Sequence, residues 1–591
     1  MNNCCPLILV HWHKKVVTKM GVAESGVDFN SFLANCCVQD KSQDDSYWTE
    51  LIRHVWDRSE LKMPNPRLID EIATRNPNNL LRLFRECINF MEFVNNAESA
   101  DIFPQIIFNQ ISEILYTFTC AVISCTTNPN HMDYYNYVLG LDSKVYDEMP
   151  EEQRVAEKSK PSLLTRYLTV VYKLFFKPGL VVKKDQKIWS VYPEDPISMI
   201  LLRYDLVSSL LMLMNINLIS MQQIPKINFN IETPFPSEQF LRSVLNISKY
   251  TDKIASEKMT MQYIQSSIIF CLSASFWQPD FVQKLTNIHP QEIVLSIAGS
   301  SKLPFPRKPN FTSTSLLTSE CLSMCYLCCI WNRDLITYIA QNQISNLFIY
   351  ELLALSQYTF ESIGLTVVHT FILSLIDILL LEESSCLELN KSFTGSFDCT
   401  FRPHRGNYCD ILLEFILNIS SKETDTLICR IIKRILPTAN FSVSSCYKLF
   451  KFFPSNLEGE QITMLLEGFA GTVLMNKEET INTRVFIIQK ISSIKKSSGE
   501  STKPFEQIIS YVNNFLPKFG KQKVSLDEAI KIINSVEIPQ SNEIYQTNHL
   551  MVNMRIWKDW SELLFTKAHN KSIQRYRQIN LNYQAPVELK D

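Results

Sequence analysis

Cys321, Cys325, Cys328 and Cys329 crowd into one short apolar segment. On a helix, spacings of i, i+4, i+7 and i+8 share a face. The four thiols could therefore imitate a metal or iron–sulfur set. A straight helix presents its thiolates in a line, whereas sites that wrap an ion draw ligands from turns and separate elements. The expectation is core packing, with no metal and no cofactor. Cys399, His404 and Cys409 flank a later loop, but their spacing matches no zinc pattern. His11-Trp12-His13-Lys14-Lys15 reads as a surface metal or basic patch.

A different chemistry is written at Met20-Gly21-Val22-Ala23-Glu24-Ser25. This is Met-Gly-x-x-x-Ser, the acceptor pattern for N-myristoylation. The transferase needs a free glycine amine at the chain start, so Gly21 is an acceptor only if translation begins at Met20. One myristoyl chain holds a membrane marginally, and stable attachment takes a second signal. Cys36 and Cys37, which follow shortly after, could supply it by palmitoylation. Their structural alternative is a buried amphipathic turn shared with Phe29, Phe32 and Leu33.

Catalytic signatures are missing from the sequence. It contains no Gly-x-Gly-x-x-Gly, no Gly-x-x-x-x-Gly-Lys-Ser/Thr, no His-Glu-x-x-His and no Gly-x-Ser-x-Gly. The nine histidines never stand beside a plausible nucleophile. A non-enzymatic chain without a small-molecule substrate is the expectation.

Composition sets the elements that must carry these residues. Thirteen glycines in 591 residues is far below average usage. Strand-rich folds need glycine at hairpins and bulges, and parallel α/β enzymes need it at phosphate loops. The chain therefore reads as all-α. A net charge of −2 argues against nucleic acid as a partner, because that needs a basic field. Many of the seventeen cysteines sit inside apolar helical patterns, as Cys87, Cys120, Cys271 and Cys429 do, which suits a reducing cytosol.

Periodicity predicts helices at 47–59, 78–93, 101–125, 162–176 and 197–221. Others follow at 238–249, 260–276, 316–331, 334–341, 344–356 and 360–382, and then at 409–420, 425–436, 442–453, 460–475 and 480–494. Pro64, Pro66 and Pro77 break the segment after the first of these. Residues 126–161 and 383–406 read as long polar loops, and 182–196 as one short extended piece around Trp189 and Tyr192. Ile363–Leu381 is apolar enough to span a membrane, but it holds Asp377 and His369. A helix buried within a stack is the better reading.

The organisation that follows is an irregular α-solenoid of HEAT or armadillo type with long polar loops, although no fixed repeat period is found. Residues 1–19 read as an extension, and 20–46 as an anchor region and linker. Residues 47–299 form an N-terminal helical region, 300–315 a linker, 316–570 a C-terminal helical region and 571–591 a polar tail.

Several short segments follow one another in a distinctive order. Gly21, Ser25 and Phe29 come first, then Asp45-Ser46-Tyr47-Trp48 and Pro77-Asn78-Asn79-Leu80-Leu81. Leu174-Phe175-Phe176-Lys177-Pro178-Gly179-Leu180, Ile188-Trp189 and the segment Arg203–Met214 continue it. The most specific are Leu379-Leu380-Leu381, Leu389-Asn390-Lys391 and Asp410-Ile411-Leu412. Read from Met20, this order resembles the family of the high-temperature-induced dauer-forming protein, to which dymeclin is related. The resemblance runs from Met20 to about Ser420. It departs at Met1–Lys19 and in the C-terminal half, where the family's disordered insert is mostly missing.

What the resemblance implies is a myristoylated peripheral membrane protein shared between the cytoplasm and the cytosolic face of Golgi membranes. Its implied role is a scaffold in vesicle trafficking and secretory cargo sorting, with trafficking proteins as partners. The alternative is a soluble armadillo-like protein-binding adaptor without a membrane anchor.

Overall fold

The computed structural model describes residues 29–53, 65–98, 102–190, 195–216, 223–248, 283–294, 324–343, 365–393, 406–422, 424–453, 459–474, 480–498 and 503–513, with a few isolated positions besides. Among these the structure is helical, and its β-type pairings are two isolated bridges, Pro178 with Val182 and Ser392 with Asn407. Two compact units divide the described chain near residue 235, with Ile188–Val191 joining the second. The linker expected at 300–315 lies outside the described residues.

The first unit holds α1 (Phe29–Val38), α2 (Asp45–Arg53), α3 (Pro66–Arg75), α4 (Pro77–Asn96) and α5 (Gln105–Thr127). It continues with α6 (Met132–Leu139), α7 (Lys144–Asp147), α8 (Glu151–Lys158), α9 (Leu163–Leu174) and α10 (Ile197–Met214). Alternate helices pack on one another. One row runs α1, α3, α5, α10, and a second runs α2, α4, α9. Along α4, Leu80, Leu81, Phe84, Cys87, Ile88, Met91 and Val94 turn inward at helical spacing. Each such large apolar side chain contributes about 1.5–3 kcal/mol on burial. A buried hydroxyl chain crosses between the rows: Ser209 Oγ lies 2.7 Å from Thr119 Oγ1 and 2.6 Å from Tyr167 Oη.

The second unit holds α11 (Ser237–Ser248), α12 (Arg333–Gln341), α13 (Leu365–Leu379), α14 (Glu383–Glu388) and α15 (Tyr408–Asn418). Then come α16 (Asp425–Ile435), α17 (Val443–Phe452), α18 (Gly459–Leu474), α19 (Ile481–Ser498) and α20 (Lys503–Asn513). The same alternation recurs, with α13, α16, α18 and α20 in one row and α15, α17 and α19 in another. Gly468 suits the close approach of α18 to α16, since a Cβ there would stand 3.1 Å from the Lys433 Cα.

The structure corrects several expectations. The proline-broken segment holds α3, with Pro66 at its first position and Asn65 capping it by accepting from the Arg67 amide. Proline is well suited there, because the first turn has amides without helical partners. Residues 126–161 are not one long loop. They hold a 3₁₀ turn, α6, α7 and α8, punctuated by Gly140 at φ 77°. Residues 383–388 form α14, and 29–38 of the expected anchor region form α1. Residues 183–190, which include Trp189, form no strand, and Tyr192 lies outside the described residues.

Among the described residues two helices, α5 and α10, are long and apolar enough to cross a membrane, but 83% of each relevant window is buried and they pack against each other. The apolar stretch around Asp377 forms the 15-residue α13, with Phe371, Ile372, Leu375, Ile376 and Leu379 in the core.

Candidate functional site

Some of the segments that carry the family resemblance lie in two hydrogen-bonded clasps, one in each unit. Each is organised by an asparagine side chain.

In the first unit that residue is Asn79, on the first turn of α4 and fully buried. Its Nδ2 donates to the carbonyls of Cys36 at 2.8 Å and Gln39 at 2.7 Å, and its Oδ1 accepts from the Lys41 amide at 2.8 Å. Asn76 adds donation to the carbonyls of Cys36 and Cys37. The carbonyls at the end of α1 have no helical partners of their own, and these amides satisfy them. Trp48 closes the clasp by donating from Nε1 to the Lys41 carbonyl at 2.7 Å. Tyr47 donates to the Phe32 carbonyl and lies 3.2 Å from Cys36 Sγ.

Cys36 and Cys37, the candidate second lipid anchor, are therefore core residues, 0% and 4% exposed. Burial pushes both thiols up to about 11 from an ordinary 9.0. Cys37 Sγ also donates to the carbonyls of Leu33 and Leu68. A thiol in this setting is neither a nucleophile nor open to an acyl donor. Gly21, with His11 and His13, lies outside the described residues.

In the second unit the organiser is Asn390. Its Nδ2 donates to the Thr438 carbonyl at 2.7 Å, and its Oδ1 accepts from the Asn440 amide at 2.8 Å. Backbone bonds from Cys409 to Leu389 and from Tyr408 to Lys391 bring the Leu-Asn-Lys turn against the start of α15. Asn407 caps α15 through the Asp410 amide, and its Nδ2 reaches the Asn440 carbonyl. Asp410 Oδ1 accepts from the Ser442 amide at 2.9 Å. Lys391 bonds to Glu388 and Gln343. Asn390 and Asp410, from two of the three most specific resemblance segments, thus both anchor the turn after α16 where α14 and α15 meet it.

Asp377, the charge within the apolar stretch, faces Arg434 Nε at 2.5 Å and Arg430 Nη1 at 3.5 Å, both on α16. A buried carboxylate is tolerated when paired in this way. Other resemblance residues are also interior. Arg203 pairs with Asp195 at 2.8 Å and donates to the Val181 carbonyl, and Lys177 holds the Asn95 and Ala97 carbonyls at the end of α4. Gly179 sits at φ 77°, where glycine is favoured.

Cys325, Cys328 and Cys329 are buried; burial raises Cys328, and a hydrogen bond with Cys325 together with burial raises Cys329, both well above the ordinary thiol range. Cys271 adjoins Cys328, so sulfur from a second segment meets the cluster, which spacing did not reveal. Cys321 lies outside the described residues, as do Cys399 and His404, while Cys409 is a core residue of the Asn390 clasp. Among the described residues no group of three or more His, Cys, Asp or Glu could hold a metal ion.

Asn79 and Asn390 spend their amide groups on backbone, so their role is positional. Sequence reasoning placed the segments but missed the organising role of Asn79 and Asn390. The usable signal was an asparagine at a helix boundary, with both a donor and an acceptor to offer. Comparison with family models, with curated proteins and with solved structures finds no match.

Proposed function

We propose that this chain is a non-enzymatic scaffold on the cytosolic face of Golgi membranes, acting in vesicle trafficking and secretory cargo sorting and exchanging with the cytoplasm. The supporting observation is the Asn390 clasp. Asn390 and Asp410, from two of the three most specific segments of the family resemblance, both bond to the turn after α16, at Thr438, Asn440 and Ser442. Two-row packing of alternate helices in each unit supports an irregular solenoid of HEAT or armadillo type, whose usual work is presenting a long binding surface to protein partners. The test is localisation of the tagged protein in cells against Golgi and cytosolic markers. Co-fractionation with Golgi membranes is expected, and purely cytosolic distribution would overturn the reading.

One observation favours the soluble adaptor as a second reading. With Cys36 and Cys37 in the core, neither offers the second lipid signal that durable attachment requires. On that reading the protein stays cytosolic and binds its partners there.

A further inference from the structure

The exposed large hydrophobics of the second unit, among the described residues, are Val443 and Tyr447, each 58% exposed. They stand one turn apart on the same face of α17. The opposite face of that helix buries Ser445, Cys446 and Leu449. Phe486 of α19 meets Tyr447 edge-on at 5.4 Å and Phe450 at 6.2 Å, so the apolar strip continues onto the next helix. Phe450 and Phe486 are half-buried. Lys490 Nζ lies 5.9 Å above the Tyr447 ring, and Lys451 is exposed on the same side. Lys448 points elsewhere, to Glu414. Neither α17 nor α19 contains an Asp or Glu, and α19 runs on in sequence into Lys495 and Lys496.

We propose that this face, built from Val443, Tyr447, Phe450, Lys451, Phe486 and Lys490, is a contact for an anionic membrane surface. An exposed tyrosine carries an apolar ring and a polar tip, the combination that settles at a membrane–water boundary. Lysines around it add attraction to acidic lipid headgroups. The cations are lysines, which act as point charges toward a diffuse anionic layer. Arginine would suit a partner that offers paired carboxylates. The choice of lipid over an acidic protein rests on the peripheral-membrane reading above, and the patch requires no acyl group.

The test is sedimentation of the full, unacylated chain with phosphatidylcholine vesicles, with and without phosphatidylserine. Binding is expected only with phosphatidylserine and should weaken as salt rises. The double change Lys451→Gln, Lys490→Gln should lower partition about thirty-fold, roughly fivefold per lysine. Tyr447→Ser should lower it as well, with thermal unfolding unchanged in both variants. Absence of wild-type binding, or binding indifferent to these changes, overturns the proposal. Lysine-dependent capture of polyglutamate without vesicle binding would reassign the face to an acidic protein. If vesicles bind through this face while the cellular protein avoids the Golgi, the Golgi reading alone fails. If the protein is on the Golgi but its vesicle binding ignores the lysines, the patch alone fails.

Discussion

Asn390 accepts the Asn440 amide on Oδ1 at 2.8 Å while its Nδ2 holds the Thr438 carbonyl at 2.7 Å. The side chain thereby stands in for a strand partner at a place where the chain has none. Asn390→Ala removes both bonds and leaves two main-chain groups to find partners. A loss of about 2–6 kcal/mol is expected, at about 1–3 kcal/mol for each group left unsatisfied in the interior. Asn390→Asp keeps the acceptor but sets a carboxylate oxygen against the Thr438 carbonyl, so it should not rescue the loss. Urea unfolding followed by a probe in the second unit measures this, since two units need not unfold together. A change below about 0.5 kcal/mol for the alanine variant would mean that the clasp does not hold this turn.

Much of this architecture was legible in the sequence. Low glycine content and apolar spacing announced an all-α chain, and the predicted helices at 78–93, 162–176, 425–436 and 442–453 coincide closely with α4, α9, α16 and α17. Helices were missed where punctuation misled. Pro66 reads as a breaker because proline clashes within a helix, yet at the first position it loses nothing. Residues 144–158 were obscured because α7 is only one turn long and α8 buries no side chain, so neither shows an apolar stripe. The clasps were invisible for a different reason. Asn79, Asn390 and Asn332 look like ordinary boundary residues. Their partners are main-chain groups far off in sequence, as the Leu285 and Ile288 carbonyls are for Asn332 Nδ2.

The pairing of Asp377 with Arg434 and Arg430 makes a second prediction. Asp377→Ala leaves two guanidinium groups facing an apolar helix without their counter-ion, and about 3 kcal/mol should be lost. Asp377→Leu combined with Arg434→Leu should recover much of it, because replacing a whole buried pair by apolar groups is often close to neutral. Thermal unfolding of the single and double variants decides. A double variant as unstable as Asp377→Ala would locate the cost in packing and not in charge.

Stability should depend on pH at both ends of the range. Burial raises Cys36 and Cys37 from 9.0 to about 11, so the folded state favours the neutral thiol more than the unfolded chain does. That contribution is complete below pH 9 and is lost as pH rises toward 11. His131 behaves in the opposite sense. Burial holds it below its ordinary 6.5, with Asp70 opposing the shift from 3.9 Å. The unfolded chain then takes up the proton more readily. Its contribution is full above pH 6.5 and falls as pH drops through the lower folded value. Unfolding free energies measured across this range should fall on both sides. In native protein, Cys36 and Cys37 should resist iodoacetamide at neutral pH and become reactive in urea. Rapid labelling of the native protein would show that α1 opens.

The last prediction concerns Gly21 as a processed N-terminus. It is motivated by the pattern Met20–Ser25 and by the family-like order that begins there. A single myristoyl chain gives marginal and reversible attachment. The core positions of Cys36 and Cys37 leave no second lipid close by in the first helix. A chain started at Met20 should therefore divide between cytosol and membrane, and Gly21→Ala should move it toward the cytosol without altering its unfolding. A chain started at Met1, with Met20 replaced to prevent internal initiation, should carry no myristate by intact mass. If the lysines at the α17–α19 face also contribute, combining Gly21→Ala with Lys451→Gln and Lys490→Gln should release more protein than either change alone. Each weak anchor raises the effective concentration of the other at the surface. Full retention of Gly21→Ala on membranes with those lysines intact, and loss only in the combined variant, would make the protein face the main anchor. Full retention of the combined variant would assign attachment to protein partners and reduce the Met-Gly pattern to coincidence.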